Sequence, residues 1–251
     1  MRPRFTVWIC CVAGLLASCE RTPQTAKLTV AAAANLTDVF ADVGRAFHAQ
    51  TGIEAVFSYG STAQLAQQID SGAPFDLFAA ADTEHVDSLV TAGKLMAGSR
   101  AVYATGQLAL WSPHDEQAGL HNLQDLASPE VHFIAIAQPE LAPYGQAAVE
   151  ALQHAGLWDV LKPKIVYANS ISQARQWAES GNADAAFTAY SLVLHDPGTI
   201  VKVEAALYSP LEQSLAIVAN SPQNELANRF RSFLLGPEGR TILAAHGYLL
   251  P

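Results

Sequence analysis

The sequence predicts an α/β protein of two lobes, with a ligand site in the cleft between them. Three observations lead to that fold class. Strand and helix patterns alternate from Lys27 to the C-terminus. The alternation runs through two similar cycles, which suggests two lobes. No repeat, low-complexity segment or long linker interrupts the body.

Lys27–Ala32 (KLTVAA) reads as a short buried strand. Leu36, Val39, Phe40, Val43 and Phe47 then recur at helical spacing, and Gly52 stops that helix. Ile53–Ser58 is a strand, Leu65, Ala66 and Ile69 mark a helix closed by Gly72, and Asp76–Ala80 is a third strand before a helix over Val86–Ala92. A βαβαβα order implies a parallel sheet covered by helices. The second cycle opens on an extended apolar run, Tyr103–Trp111. It continues as a strand at Val131–Ala135, a helix over Tyr144–Ala155, a strand at Lys164–Tyr167, a helix over Ser172–Glu179 and a strand at Ala185–Ala189. Thr199–Val203 and Leu215–Val218 are extended, and helices over Asn224–Leu235 and Gly239–Ala245 end the chain. The first cycle has only about 80 residues, near the low end for an independent core, so the last helices are expected to return to it. The expected organisation is lobe 1 over 27–105, lobe 2 over 106–208 and a return to lobe 1 over 209–251, with crossovers near 104–108 and 205–212. Ligands of such sheets sit beyond the carboxyl ends of the strands, where helices begin.

The N-terminus reads as an export signal. Arg2 and Arg4 precede an apolar run, Phe5–Leu16, too short to span a bilayer comfortably. Leu16-Ala17-Ser18-Cys19 follows as a lipobox, which sets a signal peptide at 1–18 and makes Cys19 the expected lipid attachment. The alternative is a plain cleaved signal cut before Lys27. Residues 19–26 are polar with one proline and read as a tether. The expected location is therefore outside the cytoplasm, in the periplasm and anchored to a membrane through Cys19.

All three cysteines, Cys10, Cys11 and Cys19, lie in or at the end of this leader, so the body has neither a disulfide nor a thiolate metal site. The net charge is −9, and two of the basic residues belong to the leader. That excludes nucleic acid as a partner, since no basic stripe replaces phosphate counterions. A small anion stays open, because backbone dipoles can hold one without net positive charge. The eight histidines form no HExxH or close pair, and no P-loop or GxGxxG is present, so no metal cation or cofactor is expected.

Four strand-to-helix junctions carry the candidate chemistry. At Ala31–Asn35 a run of small residues leaves amides open, and the Asn35 side chain can donate. At Tyr59-Gly60-Ser61-Thr62 the hydroxyl of Ser61 stands at a helix start. At Ala142-Pro143-Tyr144-Gly145 the proline is preset for a first helical turn and Tyr144 offers a phenol. At Asn169-Ser170-Ile171-Ser172 the Ile171 donor is its main-chain amide. Each junction alone also fits a bland role: N-caps at Asn35 and Ser61, packing residues at Tyr144 and Ile171. Ser61 could further be a hydrolase nucleophile, yet no GxSxG elbow or nearby histidine accompanies it. Together the four offer neutral donors only, which suits a fully ionised dianion.

The segments AAAANLTDVF (31–40), TGIEAVFSYGSTAQLAQQIDSGAPFDLFAAAD (51–82), APYGQAAVEAL (142–152), NSISQARQWAESGNADAAFTAYS (169–191) and GPEGRTILAAHGYLLP (236–251) resemble, in order, the periplasmic molybdate-binding proteins of ATP-driven uptake systems. The resemblance implies a periplasmic-binding-protein-like fold that captures molybdate, and tungstate with it, in the interlobe cleft without enzymatic chemistry. It implies Asn35, Ser61, Tyr144 and Ile171 as the molybdate donors. It also implies a membrane permease and its ATPase as partners of a monomeric receptor. Another tetrahedral oxyanion such as sulfate is the alternative ligand. Some members reach the anion with a tyrosine near the strand 185–189. Here Ala189 takes that position beside Tyr190, so Tyr144 is expected to replace the contact.

Overall fold

A computed structural model describes residues 27–114 and 119–251; the expected signal, Cys19 and tether lie outside the described residues. The elements are β1 (Lys27–Ala33), α1 (Thr37–Thr51), β2 (Glu54–Gly60), α2 (Thr62–Asp70), β3 (Leu77–Ala79), α3 (Glu84–Thr91), β4 (Ala101–Gly106) and β5 (Leu108–Ser112). They continue as β6 (Ile134–Ala137), α4 (Pro143–His154), α5 (Trp158–Leu161), β7 (Ile165–Ala168), α6 (Ile171–Glu179), β8 (Ala185–Ala189), α7 (Tyr190–Val193) and β9 (Thr199–Lys202). β10 (Leu211–Ile217), α8 (Asn224–Leu235) and α9 (Pro237–Ala245) complete the chain. Among the described residues no helix is long and apolar enough to cross a membrane.

The strands form two five-stranded sheets of matching plan, β2-β1-β3-β10-β4 and β7-β6-β8-β5-β9. β1 pairs in parallel with β2 and β3, and β6 with β7 and β8. The parallel pairing expected from the βαβαβα order is present among the first three strands, and each sheet also takes in a reversed strand: β10 runs antiparallel to β3 and β4, and β5 to β8 and β9. Hydrophobic patterning reports burial, not direction, and each reversed strand is the one that arrives from the other sheet.

The single apolar run expected at Tyr103–Trp111 is two strands in two sheets, β4 and β5, divided at Gln107. Both halves are buried, so the pattern shows no break. Gln107 itself is held from two sides: its Nε2 donates to Gly247 O at 2.6 Å and its carbonyl accepts from Tyr190 N at 2.9 Å. β6 also begins later than the expected Val131, because His132 N and Phe133 N donate to the Asp184 carboxylate at 2.7 and 2.8 Å instead of joining a ladder. The helices α5 and α7 span four residues each, too few for a period to show.

The first sheet is covered on one face by α1, α8 and α9. Phe47 of α1 meets Phe230 and Phe233 of α8 with ring centroids 5.2 and 5.5 Å apart, and Phe40 meets Phe57 of β2 at 5.2 Å. Such edge contacts add to the burial of each ring. The other face packs Ile69 and Leu65 of α2 with Val86 and Leu89 of α3.

At the start of α3, Asp82 accepts from His85 N at 3.1 Å and pairs with His85 Nδ1 at 2.7 Å. That hydrogen bond, together with the negative charges of Asp82 and Glu84, raises the His85 pKa above 6.5 against the opposing effect of burial. A raised folded value means the pair stabilises the protein fully below the unfolded pKa and ceases to do so as pH rises through the folded one. The melting-temperature gap between wild type and His85→Gln is therefore expected to be widest below the unfolded pKa and to close as pH rises past the raised folded one. A gap that is constant across this range would show that the pair is not titrating.

Candidate functional site

The carboxyl ends of β1 and β2 and the starts of α2, α4 and α6 converge on one small, tight pocket between the two sheets. It is the place where the topology puts helix N-termini from both lobes opposite each other. All four predicted junctions meet there: Asn35, Ser61, Tyr144 and Ile171 line it, with Ala33, Ala34 and Ala81 leaving room beside them. No acidic or basic side chain is among the lining residues. The lobes touch around it, Ala63 N donating to Leu141 O at 3.2 Å and Ser172 Oγ to Ala34 O at 2.9 Å.

Ser61 is the N-cap residue of α2, yet its side chain makes no capping bond. Its Oγ is buried and meets no hydrogen-bond partner among the described residues. A buried hydroxyl left so costs about 1–3 kcal/mol. The neighbouring Thr62 does have a local role, its Oγ1 accepting from Ala81 N at 3.2 Å. The contrast separates the two hydroxyls: Thr62 braces the β3 end, and Ser61 faces the pocket with its bonding capacity unused.

Tyr144 is the second residue of α4 and 2% exposed. Its Oη accepts from Gln213 Nε2 at 2.9 Å. Burial, chiefly, pushes its pKa well above 10, so the phenol keeps its proton and can donate. Ile171 opens α6, so its N–H has no acceptor within the helix. The cap of that helix is Ser170, whose Oγ accepts from Gln173 N at 3.2 Å.

Asn35 differs from the expectation that its side-chain amide faces a ligand. It lies within a short 3-10 turn, Ala34–Leu36, and Nδ2 donates to Gln213 Oε1 and to Tyr248 Oη, both at 2.9 Å. With both amide hydrogens engaged inside the protein, the main-chain N–H of this first turn is the donor it has left for the pocket.

Behind the pocket lies a buried polar network that the sequence did not disclose. Gln213 of β10, 0% exposed, joins Asn35, Tyr144 and Tyr103. Tyr248, near the C-terminus, donates to Asn35 O at 2.9 Å and accepts from Ser191 Oγ at 3.1 Å. The one signal available was a glutamine inside an otherwise buried strand. Neither Ala189 nor Tyr190 lines the pocket; the Tyr190 ring lies beneath Lys202 Nζ at 3.9 Å, near Gly247. No histidine lines it either, so Ser61 has no base at hand for a nucleophilic role.

Residues 28–249 match the family described as bacterial extracellular solute-binding protein. The chain is 37% identical over 244 residues to a molybdate-binding protein of Azotobacter vinelandii, covering 94% of each. It is 34% identical over 224 residues to one from Rhodobacter capsulatus, covering 89% of this chain and 88% of the relative. Its fold superposes on the solved periplasmic molybdate-binding protein of Azotobacter vinelandii with a TM-score of 0.86 at 35% identity, covering 89% of this chain and 99% of that one.

Proposed function

Since the chain belongs to the bacterial extracellular solute-binding proteins, we propose that it captures molybdate in the interlobe pocket and hands it to an ABC transporter. The observation that carries the reading is the Ser61 hydroxyl, buried without a partner in a pocket with no charged side chain. A dianion with four acceptor oxygens supplies what that hydroxyl lacks, and it needs donors alone. Ser61 Oγ, Tyr144 Oη and the main-chain N–H groups of Asn35 and Ile171 are the proposed donors. The converging starts of α2, α4 and α6 add a favourable potential of about 0.3–1 kcal/mol per helix end when exposed, and more inside a closed cleft. The protein is a carrier and not an enzyme, and molybdate is its ligand. Tungstate, of nearly the same size and charge, is expected to compete. Sulfate is smaller and leaves donors out of reach.

In this reading the chain works as a monomer, exported and held at the membrane by a lipid on Cys19, with a membrane permease and a cytoplasmic ATPase as partners. Its lobes are 27–105 with 209–251, and 106–208, which separate to release the anion.

Calorimetric titration of the mature protein with molybdate tests the function; no saturable heat at micromolar ligand would end it. Ser61→Ala is expected to weaken molybdate roughly ten- to a hundredfold, the loss of one hydrogen bond to a charged group. The melting temperature without ligand should not fall, because no capping bond is lost and a buried hydroxyl without a partner is removed. A large fall in that temperature with affinity intact would return Ser61 to a structural role.

A further inference from the structure

We propose that Gln213 is a positioning residue that turns the Tyr144 hydroxyl proton into the pocket and thereby makes Tyr144 a donor to an unprotonated oxyanion. The inference rests on the molybdate-binding function proposed above and adds to it a residue that does not touch the ligand.

The direction of the network starts from an atom that can only accept, the main-chain oxygen of Asn35. Tyr248 Oη donates to it at 2.9 Å, which commits the Tyr248 proton. The Tyr248 oxygen is then an acceptor, and Asn35 Nδ2 donates to it at 2.9 Å. The second hydrogen of the same Nδ2 goes to Gln213 Oε1 at 2.9 Å, while the single proton of Tyr103 Oη is shared between that oxygen and Ala80 O, each 2.9 Å away. The Asn35 donor thus identifies this atom as Oε1, which leaves Nε2 as the atom facing Tyr144 Oη, 2.9 Å away. A phenol oxygen that accepts there has one proton left to place. Among the described residues none receives it, and Tyr144 lines the pocket. Burial keeps that proton on the oxygen through the physiological range. An oxyanion that carries its own proton would meet donor against donor at this position, and a fully ionised one would not.

The test is a double-mutant cycle, Gln213→Met and Tyr144→Phe singly and together, titrated with molybdate in the mature protein. Gln213→Met is expected to weaken molybdate about tenfold alone, and less than about twofold once Tyr144 is phenylalanine, because both changes remove the same donor. Equal effects in the two backgrounds would overturn the proposal and leave Gln213 a structural residue. Unchanged or tighter binding by Gln213→Met alone would overturn it too, since it would mean that Tyr144 spends its proton on Gln213. Wild type failing to bind molybdate at all would instead remove the function on which the inference rests. Where Gln213→Met does not fold, the wild-type protein carries the readout. The ζ-carbon resonance of Tyr144, assigned by its loss in Tyr144→Phe, is expected to move downfield as molybdate is added. No movement at saturation would overturn the proposal.

Discussion

Replacing Gly106 with alanine is expected to lower molybdate affinity by about a hundredfold or more while leaving the fold in place. Gly106 is the last residue of β4, next to the crossover, and it lies against the tip of Tyr144. A Cβ built there would stand 2.0 Å from Tyr144 Oη, 2.9 Å from its Cζ and 2.5 Å from Gln213 Nε2. No real contact is that short, so one of two things must give. Either the Tyr144 ring withdraws from the pocket, or α4 and its lobe stand off and the cleft stays open. Both remove the phenol donor, and the second disturbs Ile171 as well. Stability should fall far less than affinity, because Gly106 sits in an extended strand that alanine adopts without strain, and alanine costs the unfolded chain less freedom than glycine. Titration calorimetry with a thermal melt separates the two effects. The steric account makes a further demand. In a Tyr144→Ala background the closest contact is gone and only the end of the Gln213 side chain, freed of its tyrosine partner, has to move, so Gly106→Ala should cost far less. Full additivity of the two changes would show that Gly106 acts by some route other than room for the tyrosine.

The pocket illustrates what a sequence can and cannot disclose. Ser61, Tyr144 and Ile171 were legible because each sits beside a local signal: a glycine followed by hydroxyls, a proline at a helix start, a serine cap. Those signals act within a few residues, and the βα order then carries the junctions to the carboxyl ends of the strands. Asn35 was legible as a residue at the pocket but not in its bonding, because its partners Gln213 and Tyr248 are 178 and 213 residues away. Nothing in the neighbourhood of Gln213 or Tyr103 marks them as polar groups that face one another. The direction of β5 and β10 was not legible for a similar reason. A buried strand has the same composition whichever way it runs, so these extended runs carried no sign of their reversal. The division at Gln107 was hidden because β4 and β5 are both buried, and the apolar run continues across the change of sheet.

Gly145→Ala is expected to destabilise the protein by about 3 kcal/mol, lowering the melting temperature by roughly 6–12 °C for a chain of this size. Helix propensity argues the opposite sign, since alanine in a helix interior is favoured over glycine by about 1 kcal/mol. Packing decides the matter. Gly145 lies in the first turn of α4, and a Cβ there would come within 2.0 Å of Ala137 O and 2.7 Å of Ala137 C, with Gln138 C at 3.2 Å. These are main-chain atoms at the end of β6, pinned by the ladder to β7 and by the bond from Gln138 N to Ala168 O at 2.8 Å. They have no rotamer to change, unlike the tyrosine facing Gly106. The helix must lift away from the strand, and its buried face of Ala147, Ala148 and Ala151 would lift with it. Because that first turn also carries Pro143 and Tyr144 into the pocket, molybdate affinity should fall together with stability, in contrast to Ser61→Ala, where affinity falls alone. A Gly145→Ala protein that melts at or above the wild-type temperature would mean that α4 is free to shift on β6, and the close seating that brings Tyr144 to its place would have to be abandoned.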